Sequence, residues 1–107
     1  MDAHDLAAER SRALHLAVAE RLRAEPALVE VARERVSGWL RDGSVNEWYA
    51  SGWAGLLRKP IDELVEILGE HSERMHDLRQ TSPFAGFIDA RTRWRILGEV
   101  RRRHETR

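Results

Sequence analysis

Of the side chains that do chemistry, this 107-residue chain offers five histidines, an acidic group at Asp62, Glu63 and Glu66, and no cysteine. Two zinc-ligating histidines on one helix face need the spacing of the HExxH pattern, whereas His71 and His76 are five residues apart and fall on different faces of a helix. His4, His15 and His104 sit singly, at positions that read as exposed. The absence of cysteine removes thiolate ligands, thiol nucleophiles and disulfides. There is no glycine-rich phosphate loop and no nucleophile elbow, and Asp62, Glu63 and Glu66 read as the solvent face of a helix. The sequence predicts no catalytic residue, no cofactor and no metal site, and so points to binding.

Charge says where. Lys+Arg and Asp+Glu balance at 18 each, but residues 1–78 hold 10 basic against 15 acidic side chains and residues 79–107 hold 8 against 3. A basic C-terminal part suits an acidic partner: nucleic acid, an acidic protein surface, or the acidic part of a second copy of this chain. A simply solvated basic helix is the alternative. The excess of Arg over Lys partly reflects what a GC-rich genome encodes. No apolar run of about 20 residues occurs, so no membrane span is expected. The charged start, MDAHDLAAERSRAL, lacks the apolar centre of a secretory signal, and a cytoplasmic location is expected.

The elements that must position these side chains are helices. Residues from Asp2 or His4 to Glu25 form a long helix without internal Gly or Pro, with Leu6, Ala13, Leu14, Ala17, Val18 and Leu22 on one face. Its narrow, alanine-rich stripe suits close packing within the chain or against a second copy, which would make a homodimer. Pro26 opens a second helix carrying Leu28, Val29, Ala32, Val36, Trp39 and Leu40, and Asp42-Gly43 stops it. Ser44 or Asn46 caps a third, with Val45, Trp48, Tyr49, Trp53, Leu56 and Leu57 at helical spacing. Lys59-Pro60 divides it from a fourth helix bearing Ile61, Leu64, Val65 and Leu68, closed near Gly69. Ser72 caps a fifth, with Met75 and Leu78 inward. The expected fold is all-α, one domain over residues 1–107, a compact bundle of about five to six helices whose short connections make successive helices neighbours.

Two segments carry interaction chemistry. From Ile61 to Gln80, Val65, Gly69, Met75 and Leu78 fit the spacing of a helix-turn-helix, with Arg74, Arg79 and Gln80 as base-reading candidates. Glu70, Glu73 and Asp77 surround that helix and would repel phosphates, so a plain helical hairpin competes with DNA binding. From Gln80 to Arg102, Ser82-Pro83 breaks the fifth helix and Phe84, Phe87 and Ile88 form an apolar knot around Gly86. Asp89 caps a last helix with Trp94, Leu97 and Val100 inward and Arg91, Arg93, Arg95 and Arg102 around the remainder. Arginines beside aromatics are enriched at protein interfaces. The candidate partner-binding residues are therefore Phe84, Phe87, Arg91, Trp94 and Arg95, with Trp48 and Trp53 as a second surface.

The stretch LRQTSPFAGFIDARTRWRIL, Leu78 to Leu97, resembles a segment of short helical actinobacterial proteins in which LRQ-x-SPFAG precedes an arginine-tryptophan helix. A weaker likeness runs through DLAAERSRALHLAVAERL near the N-terminus. The association is with antitoxins of nucleotidyltransferase-like toxins, the MenA type of the MenAT systems. The resemblance implies an antitoxin that binds its cognate toxin and blocks nucleotide transfer to tRNA acceptor ends, with no catalytic residues of its own. The alternative is a helix-turn-helix-like DNA-binding regulator using residues 61–80 and the basic C-terminal helix.

Overall fold

Proline, glycine and short polar caps divide the chain much as the sequence predicts. In the computed structural model, which describes residues 3–106, six α-helices and one 3-10 turn follow one another. They are α1 (Ala3–Ala24), a 3-10 turn (Pro26–Leu28), α2 (Val29–Asp42), α3 (Glu47–Leu57), α4 (Ile61–Leu68), α5 (Glu73–Leu78) and α6 (Ala90–Glu105). No strand occurs among the described residues, and the fold is a small all-α bundle. Asp2, one of the two expected helix starts, lies outside the described residues.

Each break has a local cause. Gly43 takes the left-handed conformation at φ 68°, and its N–H returns to the Trp39 carbonyl at 3.0 Å, closing α2. Asn46, of the two possible caps, starts α3 by accepting the Trp48 N–H at 2.8 Å. Ser72 starts α5 by accepting the Met75 N–H at 3.2 Å.

Packing order differs from the expectation that successive helices are neighbours. α1 is the central element, with α4 and α6 packed along it and α5 touching it, while α2 and α3 pair with each other. A helix of 22 residues is about 33 Å long and so has room for several partners along its length. The alanine-rich stripe is therefore used within the chain. Its phase is shifted: His15, Val18, Ala19 and Leu22 are buried, whereas Leu6 and Leu14 are half-buried. The core joins Leu22, Val36, Trp53, Leu57, Leu64, Leu68, Leu78 and Phe84. α4 packs mainly on α1 and α5 contacts α1 and α3, while Arg79, at the end of α5, donates to the Leu68 carbonyl at the end of α4 at 3.0 Å.

α3 meets α5 where Gly52 faces Leu78. A Cβ on Gly52 would lie 2.8 Å from Leu78 Cδ2, a fully buried side chain, whereas a Cβ on Gly55 meets nothing within 4 Å. Gly55→Ala should gain helix propensity and stabilise by about 0.5–1 kcal/mol. Gly52→Ala gains the same propensity but overpacks at a cost of about 1–3 kcal/mol. Urea midpoints should fall in the order Gly55→Ala, wild type, Gly52→Ala.

Candidate partner-binding surface

The last helix is aimed by a loop that the rest of the fold holds at several points. Trp53, with no exposed surface, donates its indole N–H to the carbonyls of Leu78 (3.0 Å) and Thr81 (2.7 Å). Arg35 on α2 donates from Nη1 to the carbonyls of Pro83 (3.0 Å) and Ala85 (2.7 Å), and its guanidinium lies 5.5 Å from the Phe87 ring centre. Gly86, at φ 84°, turns the chain so that the Phe87 N–H reaches the Phe84 carbonyl at 3.1 Å. Asp89 then caps α6, accepting the Thr92 N–H at 2.8 Å and the Thr92 hydroxyl at 3.0 Å. Those bonds hold its carboxyl below the usual carboxylate range.

Emerging from this cap, α6 presents two unlike faces. Val100 is fully buried, Ile96 and Leu97 are half-buried, and His104 Nε2 meets a Glu9 carboxylate oxygen on α1 at 2.8 Å. On the other side Arg91, Trp94 and Arg95 are exposed, and Trp94 shows 78% of its surface. This corrects the expected inward edge of Trp94, Leu97 and Val100. At about 100° per residue, steps of three drift backward, leaving Trp94 about 120° round the helix from Val100. Positions 91, 94 and 95 instead share one outward stripe at the spacing that brings helix side chains together.

The other candidates divide. Phe84 and Phe87 are buried at 4% and 7% exposure, edge to face with ring centres 5.4 Å apart, and Phe84 meets Trp53 in the same way at 5.4 Å. Phe84, Phe87 and Trp53 are thus core side chains, sealed from any partner in this conformation. Trp48 is half-exposed on α3, its ring edge-on to Tyr49 at 5.1 Å. Of the candidates, Arg91, Trp94, Arg95 and Trp48 are exposed. Arg79, proposed to face DNA, is buried at 3% exposure.

Two histidines expected at the surface are not there. His104 makes the contact with Glu9, and His15 is buried at 6% exposure; the side chain of His4 lies outside the described residues. His15 Nδ1 lies 2.7 Å from the Ser11 carbonyl and so carries the proton, leaving Nε2 to accept from the Ser82 hydroxyl at 2.9 Å. Ser82 Oγ also accepts the Phe84 N–H at 3.2 Å, which ties α1 to the start of the loop. A serine hydroxyl donating to an oriented imidazole has the outline of a nucleophile and base. Here burial, opposed by the bond to the Ser11 carbonyl and aided by the Arg79 charge, pushes the His15 pKa down to about 4, so the ring is neutral at pH 7. The pair links α1 to the loop through a neutral hydrogen bond.

No family model matches this chain, nor does any curated protein or solved structure. His71 precedes α5 instead of lying on it, and its ring comes within 6.1 Å of His76, but no group of three or more potential metal ligands occurs among the described residues. None of their helices is long and apolar enough to cross a membrane.

The buried His15 makes stability fall in acid. Its folded pKa of about 4 lies below the 6.5 of the unfolded chain, so below pH 6.5 the unfolded state takes up a proton that the native state refuses. The contribution is complete above pH 6.5, is lost progressively as pH falls from 6.5 to 4, and totals about 3 kcal/mol. Urea unfolding at pH 7, 5.5 and 4 should record that loss, and His15→Gln should remove most of it.

Proposed function

We propose that this chain is a binding protein without catalytic activity that docks on a partner through the outward stripe of α6, and that the partner is a nucleotidyltransferase-like toxin which it neutralises by occlusion. The observation that carries the docking element is Trp94, exposed at 78% on a helix whose first two turns place Arg91 and Arg95 beside it. A tryptophan left in water gains by burial, and neighbouring guanidiniums add bidentate and stacking contacts. The choice of partner rests on the resemblance of Leu78 to Leu97 to MenA-type antitoxins.

A basic helix of this kind complements a carboxylate-rich cleft. An interface of about 1,600 Å², the usual size for a specific complex, would cover a substrate entrance. Occlusion asks for a rigid presenting element, and the bonds from Trp53, Arg35 and His15 to the preceding segment supply one. The test is loss of neutralisation on Trp94→Ala and Arg95→Glu with folding retained. Nothing in the packing of α4 and α5 favours the DNA-binding alternative.

A further inference from the structure

After Trp94, Trp48 is the most exposed large hydrophobic side chain among the described residues, at 50%. It stands in the first turn of α3, at the edge of a shallow cleft between α3 and α5. Glu47, Ser51 and Gly52 line that cleft from α3, and Arg74 lines it from α5. Ser51 and Gly52 are small and leave the space beside the indole open. Glu47 and Arg74 are both exposed, and neither has an ion-pair partner among the described residues.

The charges around this tryptophan decide what covers it. An interface about a two-fold axis uses the same patch twice, so that residue i meets j while j meets i, and the patch must complement itself. The α6 stripe fails that condition, because Arg91 and Arg95 beside Trp94 carry one sign and repel a second copy of themselves. The Trp48 patch meets it, with an acid on one bank of the cleft, a base on the other and an apolar ring at the edge.

We propose that this protein forms a two-fold homodimer through the face made by α3 and α5. With the axis running along the cleft, α3 of each copy lies against α5 of the other. Glu47 then pairs with Arg74 of the second copy in both directions, and each Trp48 leaves water beside Ser51 and Gly52 of the second copy. Helices of 11 and 6 residues bury less than the about 1,600 Å² of a standard interface, so the dimer is weak, with a Kd of about 10–100 μM. No residue of α6 lines this cleft, and the dimer presents two copies of the Arg91–Trp94–Arg95 stripe.

The test is sedimentation equilibrium of the full chain at about 5–500 μM, over which the wild type should pass from monomer to dimer. Trp48→Ala should weaken association by about 30-fold or more and stay largely monomeric. Glu47→Arg or Arg74→Glu alone sets like charges face to face and should weaken it about 10-fold. The double swap Glu47→Arg/Arg74→Glu should return it to within about 3-fold of wild type. Trp94→Ala should dimerise as the wild type does. All four side chains are exposed, so circular dichroism should show each variant folded; should Trp48→Ala unfold, the charge swap decides. A wild type still monomeric at about 500 μM, a dimer that survives Trp48→Ala, or a double swap no tighter than the single variants would overturn the proposal. Loss of the dimer in Trp94→Ala would overturn it too, by placing self-association on α6.

Discussion

Trp53→Ala should leave the chain largely unfolded at room temperature. Trp53 has no exposed surface, stacks on His15 at 6.2 Å and meets Phe84 edge-on at 5.4 Å. Truncating a buried tryptophan costs about 3–5 kcal/mol through lost burial and the cavity left behind. The Thr81 carbonyl loses its donor as well, whereas the Leu78 carbonyl keeps the Thr81 N–H at 3.2 Å, and an unmatched buried acceptor adds about 1–3 kcal/mol. A domain of this size has about 5–15 kcal/mol in total. Trp53→Phe separates the two effects, keeping most of the ring but removing the N–H, and should give a folded protein with a lower melting temperature. Circular dichroism on heating reads both variants. A Trp53→Ala protein melting within a few degrees of wild type would mean that this tryptophan does not anchor the loop.

Trp94→Ala should do the reverse, leaving stability within about 0.5 kcal/mol while weakening partner binding. An exposed side chain has little folded-state packing to lose, but a tryptophan at the centre of an interface is worth 2 kcal/mol or more, about 30-fold in Kd. Arg95→Glu reverses a charge on the same stripe and should slow association as well as weaken the complex. Together the two should reduce affinity by more than about 100-fold, the loss growing if their contacts are independent. Similar losses from Trp48→Ala would move the docking surface to α3.

How far the sequence disclosed this arrangement depended on whether the signal was local. Gly43, Asn46, Pro60, Ser72 and Asp89 act within a few residues of themselves, and the helices they delimit could be placed from the sequence. The phase of α1 could not, because a stripe of alanines is nearly as apolar on either side, and His15 passes for a surface residue until Ser82 is brought to it by the fold. Three-residue steps from Trp94 to Val100 resemble one face but drift around the helix, although Arg91 and Arg95 already mark the outward stripe. The burial of Arg79 depends on carbonyls of Leu68 and Glu70 at the end of another helix, a contact no periodicity records. Arg35 carries no sequence signal for the same reason: its partners, Pro83 and Ala85, lie far along the chain.

Division of labour within the 82–95 segment follows from these placements. Phe84 and Phe87 fix the loop in the core, Asp89 starts the helix, and Arg91, Trp94 and Arg95 face outward. Core variants should therefore lose binding through unfolding, and stripe variants should lose it while folded.

The most direct measurement is nucleotide transfer to tRNA by a nucleotidyltransferase-like toxin of the proposed partner class, taken from the same genome, with the chain added at equal concentration. The wild-type protein should suppress transfer, and the folded Trp94→Ala/Arg95→Glu double variant should leave it nearly intact. Transfer unaffected by the wild type, or suppressed equally by the variant, would contradict the account.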